Sequence, residues 1–165
     1  MISYTKILVP YDKSKPSDTA FDHAMTIAKM SSTFSDNLVS VILLYVTPII
    51  NTPFTIETIS LKSNKTGDTI TTSGYIKELY HEIKQNAIKM LDKKINEYGN
   101  VKNISLNSKV IIGNPADEII KFAKNNKIDL IVMGTTGLSG ITKFVSGSVA
   151  RKVSEKANCP VMLLR

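Results

Sequence analysis

The sequence predicts a doubly wound α/β fold: a five-stranded parallel sheet with helices on both faces. Three observations carry this. Short apolar runs alternate with helical patterns in the order βαβαβαβαβ, and helical crossovers impose parallel pairing with right-handed connections. Residues 38–46 (LVSVILLYV) are rich in β-branched residues and apolar on both faces, as strands covered on both sides are. The length of 165 residues suits one domain with one core.

Residues 6–9 (KILV) form the first strand. Ala20, Phe21, Ala24, Ile27 and Ala28 then recur at helical spacing, with Ser14 or Ser17 as the N-cap. Residues 38–46 are the second strand. Residues 47–73 are rich in Thr, Ser and Asn and contain Pro48, Pro53 and Gly67. Phe54, Ile56, Ile59 and Leu61 mark a part of this stretch that packs, as a short helix or as a cover over a site. From Gly74 to Tyr98 an apolar stripe, from Ile76 through Ile83 and Leu91 to Tyr98, defines a long amphipathic helix. Gly99 stands where a helix C′ residue belongs. Residues 106–112 are the third strand. Gly113-Asn114-Pro115 opens a helix carrying Ala116, Ile119, Ile120 and Ala123, and proline suits a first helical turn. Residues 129–133 are the fourth strand. A glycine-containing loop and a helix with Val149, Val153 and Ala157 follow, and residues 160–164 (PVMLL) are the fifth strand.

Composition narrows the function. Apolar residues make up 42% and charged residues 21%, as in ordinary globular proteins. The net charge of +7 is uneven: residues 1–73 carry 6 basic and 6 acidic groups, and residues 74–165 carry 15 and 8. A positive field in the second half favours a polyanion such as a triphosphate; the plain alternative is a solvated Lys-rich helix face. No basic run reaches five residues and tryptophan is absent, so nucleic acid is not the expected partner. No run approaches the ~20 apolar residues of a membrane span. Ile7–Pro10 is too short for a signal peptide and Asp12 follows it closely. The single cysteine, Cys159, allows no intrachain disulfide, and a cytoplasmic location is expected. Cys159 reads as a small packed side chain. His23 and His81 read as surface residues and are not spaced as a metal pair.

The feature that points to chemistry is Gly134-Thr135-Thr136-Gly137, then nine residues, then Gly147-Ser148, placed between a strand and a helix. A glycine-lined loop running into a helix N-terminus aims backbone N–H groups at an anion. Gly134 and Gly137 permit close backbone approach. Ser148 offers an N–H and a hydroxyl, and the amides of Val149 and Ala150 extend the cradle. The loop reads as the phosphate-holding half of a nucleotide site. It has no Walker-type lysine and no dinucleotide fingerprint. No nucleophile–base–orienter set stands out, so no catalytic residue is assigned.

With these residues the chain resembles the nucleotide-binding branch of the universal stress protein family. The Gly-x2-Gly-x9-Gly-Ser spacing matches at Gly134, Gly137, Gly147 and Ser148. Pro10-Tyr11-Asp12 is similar to the family's Pro-x-Asp, Gly113-Asn114-Pro115 to its Gly-x-Pro turn, and CPVMLLR at 159–165 to its closing strand. The resemblance implies a Rossmann-like sheet of strand order 3-2-1-4-5, with residues 1–165 as one nucleotide-binding domain. The order then reverses between the first and fourth strands, where such sheets open a ligand crevice. Pro10, Tyr11 and Asp12 would face Met133 and Gly134 there. Asp12 is placed to accept from a ribose hydroxyl, or to cap the helix ahead of Ser14. The Val46 backbone would meet an adenine edge, Pro10 and Met133 would form apolar walls, and Gly113 would border the nucleotide.

The implied cofactor is ATP, with any Mg²⁺ held mainly by the phosphates, and the implied turnover is slow or absent. Leu138 departs from the family, where a basic or polar residue is common, and Lys143 or Arg151 would supply the charge. Val161–Leu164 forms an apolar sheet edge, which pairing with a second copy would cover. The expected function is an ATP-binding stress-response or regulatory homodimer whose surface a protein partner reads. An ATPase or nucleotide hydrolase on the same fold, and a nucleotide-free dimeric interaction module, are the alternatives.

Overall fold

The structure, a computed structural model, describes residues 3–35, 37–49, 60–63, 65–67, 69–135 and 147–165. The elements run β1 (Lys6–Pro10), α1 (Lys15–Ser35), β2 (Val39–Thr47), β3 (Ser60–Lys62), β4 (Thr69–Thr71), α2 (Thr72–Asn96), β5 (Ile104–Ile112), α3 (Pro115–Asn125), β6 (Leu130–Gly134), α4 (Ser148–Lys156) and β7 (Val161–Leu164).

The main sheet has the order β5-β2-β1-β6-β7, and every pairing in it is parallel. Counted along the chain, its strands stand 3-2-1-4-5. Successive side chains of a strand point to opposite faces, and here both faces are covered. Ile7, Val9, Val41, Leu43 and Val132 pack with α1 and α2. Leu8, Leu44, Ile131 and Met133 pack with α3 and α4. That two-sided burial is why these strands read as continuous apolar runs.

Local signals set the helix starts. Ser14 is the N-cap of α1: its Oγ accepts from the Ser17 N–H at 3.3 Å. Asn114 caps α3 through the Asp117 N–H at 3.2 Å, with Pro115 in the first turn. Thr71 caps α2 through the Gly74 N–H at 3.2 Å, two residues ahead of the expected start. Past the end of α2, Gly99 takes φ 63°, a conformation that glycine adopts without steric cost.

The 47–73 stretch holds an antiparallel hairpin, β3 with β4, which the sequence did not predict. Its strands are three residues each, too short to show a periodic pattern. Phe54, Ile56 and Ile59, around which a short helix or a cover was expected, lie outside the described residues. Buried Ser63 anchors the hairpin to α2: its Oγ donates to the Glu78 carboxylate and accepts from the N–H groups of Lys65 and Thr66. The apolar stripe of α2 is also unevenly used. Ala87 and Leu91 are buried in the core, whereas Ile76, Leu79 and Ile83 are only half-buried.

Gly134 ends β6 against the first turn of α1. A Cβ there would lie 2.7 Å from Pro16 Cβ and 2.9 Å from its carbonyl carbon. The glycine is thus required by helix packing, in addition to the openness expected of it toward an anion. Gly134→Ala is expected to destabilise the fold by about 1–3 kcal/mol, as overpacking does. Urea unfolding measures this, and an unchanged midpoint would show that the α1 turn yields.

Candidate functional site

The sheet order reverses at β1. From β1 the chain leaves through α1 on one face, whereas it reaches β6 through α3 on the other. The C-terminal ends of β1 and β6 are therefore left uncrossed, and a cleft of about 440 Å³ opens above them.

The end of β1 contributes Pro10, Tyr11 and Asp12 to the lining; the end of β2 contributes Val46 and Pro48. The end of β6 contributes Met133, Gly134 and Thr135, and the start of α4 contributes Gly147, Ser148, Val149 and Ala150. Leu44, Ile119 and Met133, all buried, make one part of the wall apolar. Ser14, Ser17, Thr135 and Ser148 make the opposite chemistry available within the same cleft.

The starts of three helices reach this lining, and they differ. In α1 and α3 a side chain caps the first turn. In α4, Gly147 occupies the cap position with no side-chain cap hydrogen bond. Its own N–H donates to the Thr135 carbonyl at 2.6 Å, and the Thr135 N–H donates to the Leu164 carbonyl at 2.7 Å. Thr135 thereby joins the start of α4 to the end of β7. Gly137, Leu138 and Lys143 lie outside the described residues.

Asp12 holds the Ser14 cap in place and does not itself cap the first turn. Its Oδ1 accepts from the Ser14 N–H at 3.0 Å and from the Ser14 hydroxyl, and Lys13 between them takes φ 67°. Asp12 also lines the cleft, so the two placements coexist. Gly113 is not in the lining, although it was expected to border the ligand. Its N–H donates to the Thr47 carbonyl at 2.9 Å. A Cβ on it would fall 2.5 Å from Glu118 Cγ; its absence leaves room for that side chain at the start of α3. Arg151 is likewise absent from the lining, and its Nε donates to Glu155 at 2.9 Å.

Sequence reasoning had no place in the cleft for Ser14, Ser17, Leu44, Pro48, Pro115, Ile119 or Thr135. Thr135 stands inside the glycine motif, which was signal enough. Ile119 gave none, because its helical period marks only an inward face.

Behind the cleft lies a charged cluster. The Tyr11 ring is buried, and its hydroxyl donates to Asp18 Oδ1 at 2.8 Å. Lys94 Nζ of α2 reaches the same oxygen at 2.9 Å and Glu97 at 3.4 Å. Burial, then the Asp18 hydrogen bond and the surrounding carboxylates, push the Tyr11 phenol well above its ordinary value, so it remains a donor at neutral pH. Burial alone would raise the Asp18 carboxyl; the Lys94 and Tyr11 hydrogen bonds and the Lys94 charge outweigh it and hold the group below its usual value. Burial alone would lower the Lys94 ammonium, and Asp18 and Glu97 reverse this.

Cys159 is half-buried, and burial, then Asp129, raises its thiol. This agrees with a packed side chain and not with a reactive thiolate. His23 and His81 are exposed.

Fold and cleft together define a doubly wound α/β protein with an open crevice at its topological switch point. The sequence model of the universal stress protein family matches residues 3–165, and the chain belongs to that family. Universal stress protein MJ0531 of Methanocaldococcus jannaschii is 33% identical over 98% of this chain and 82% of its own. Universal stress protein YxiE of Bacillus subtilis is 30% identical over 98% and 99%. Among solved structures, universal stress protein UspA from Lactobacillus plantarum superposes with a TM-score of 0.77 at 25% identity, covering 100% of both chains. Two structures share the fold at lower identity. One is a universal stress protein in complex with cAMP (TM-score 0.60, 19% identical, 99% of this chain and 98% of that one). The other is a family protein from Arabidopsis thaliana with AMP bound (0.58, 20%, 97% and 90%).

The lowered Asp18 group contributes stability that is complete above its unfolded value of about 4 and is lost as pH falls through the folded one. The gap in urea midpoint between the unsubstituted chain and Asp18→Asn is expected to be full near about pH 6 and to narrow as the pH is lowered below about 4. A gap of unchanged size across that range would contradict the assignment.

Proposed function

We propose that the chain is an adenine-nucleotide-binding regulatory protein whose ligand is ATP, acting as a homodimer in the cytoplasm. The observation that carries this is the start of α4: it opens on the cleft without a side-chain cap, while the other helix starts there satisfy themselves. Uncapped first-turn amides and the helix dipole favour an anion. In this reading the phosphates rest on the N–H groups of Ser148, Val149 and Ala150 and on the Ser148 hydroxyl. The base lies against Pro10, Val46 and Met133, and the free carboxylate oxygen of Asp12 faces the ribose. Family membership supports the reading, as do the relatives carrying cAMP and AMP.

The described residues contain no group of three His, Cys, Asp or Glu side chains able to hold a metal ion, so Mg²⁺ would arrive with the phosphates. No helix of the described residues is long and apolar enough to cross a membrane. The reading assigns slow or no hydrolysis, as the sequence carries no Walker-type lysine. Dimerisation is proposed through β7, an edge strand whose Met162 and Leu163 are 38% and 36% exposed.

Isothermal titration with ATP, with and without Mg²⁺, tests the ligand. Gly147→Val sets a branched side chain in the amide cradle and is expected to abolish ATP affinity while leaving the circular dichroism spectrum unchanged. Normal ATP binding by that variant would remove the site assignment. Steady-state phosphate release well above ~1 per minute, against typical enzyme turnover of 1–10³ per second, would favour the ATPase reading instead.

A further inference from the structure

Tyr11 belongs to two environments. Tyr11 is among the residues that line the cleft, and its side chain is part of the core between the sheet and the α1 and α2 helices. We propose that the last turns of α2 report the occupancy of the cleft, coupled to it through Tyr11, Asp18 and Lys94. The inference rests on the nucleotide reading above and adds to it the surface that carries the signal.

The coupling is a continuous set of contacts. The Tyr11 hydroxyl and the Lys94 ammonium meet on one carboxylate oxygen of Asp18, at 2.8 and 2.9 Å. The Lys94 side chain is 17% exposed and the Asp18 side chain 39%, so the pair sits at the edge of the core and is partly screened. A second tie runs parallel to the first. Phe21 of α1 stacks edge-to-face on Tyr98 just past α2, with ring centroids 4.7 Å apart, and the Tyr98 hydroxyl donates to Asp22. α1 is thus two-sided. Ser14 and Ser17, at its start, line the cleft; Asp18, Phe21 and Asp22 hold α2.

An occupant resting on Tyr11 and the α1 start restricts both, and the restriction reaches α2 through a shared oxygen and not through a flexible loop. The far end of this path is accessible: Glu97 and Asn96 are exposed, where a partner protein can read them. Coupling of this kind requires no large displacement, only a change in local opening, which hydrogen exchange measures.

The test is amide hydrogen exchange by mass spectrometry on the full chain, with and without saturating ATP. Residues 147–153 report the cleft, 88–98 report α2, and 104–110 report general stabilisation. In the unsubstituted chain ATP is expected to slow 147–153, and to slow 88–98 by at least about threefold more than 104–110. Lys94→Met, which touches no cleft residue, is expected to keep the slowing at 147–153 and lose the excess at 88–98. Tyr11→Phe keeps the ring and removes the hydroxyl, and at saturating ATP it is expected to lose the same excess by the other route. Slowing at 147–153 with no excess at 88–98 in the unsubstituted chain overturns the coupling and leaves the nucleotide site standing. An excess that persists in both variants also overturns it. No slowing at 147–153 in the unsubstituted chain overturns the nucleotide reading itself.

Discussion

The structure depends on the position of β1. It is five residues long and hydrogen-bonded on both sides, to β2 and to β6. Ile7, Leu8 and Val9 have no exposed surface. A strand so enclosed needs helices on both faces, and right-handed crossovers place α1 on one and α3 on the other. No connection then passes over the C-terminal ends of β1 and β6. The crevice is a consequence of this winding, and the residues that line it are those that happen to end these strands and begin these helices.

The helix starts around the crevice contrast with one another. Ser14 and Asn114 return their oxygens to their own first turns. Gly147 has no side chain to return. Its backbone is instead fixed from outside, by Thr135, which is fixed in turn by Leu164 on β7. Among the described residues the α4 start is thus positioned by strand contacts, with no side-chain cap. The basic excess of residues 74–165 adds a favourable long-range field to these local dipoles.

α1 links this site to the rest of the molecule. Pro16 occupies the space that a side chain at Gly134 would need, so the helix start and the end of β6 are held in close register. One turn later Asp18 turns to α2, where Lys94 and Glu97 complete a small buried-edge ion network. Such a network is worth less as stability than as geometry, since desolvation offsets much of the attraction. Its geometry ties the buried Tyr11 hydroxyl and α2 to one oxygen of Asp18.

The sequence by itself determined the alternation of strands and helices, the two-sided burial of the second strand, a serine cap on α1, Pro115 in the first turn of α3, the left-handed Gly99 and most of the cleft lining. These are local signals: periodicity, capping chemistry and glycine placement act within a few residues. Only the tertiary structure decided the hairpin at 60–71, whose strands are too short to carry a period. It also decided why Gly113 serves Glu118 and Gly134 serves Pro16, why the first half of α2 leaves Ile76, Leu79 and Ile83 half-exposed, and that Ile119 and Pro48 reach the cleft. Tyr11, Asp18 and Lys94 meet across 76 positions between Asp18 and Lys94. The physical reason is the same in each case: such neighbours are chosen by which elements the sheet order brings side by side, and no local pattern encodes that choice.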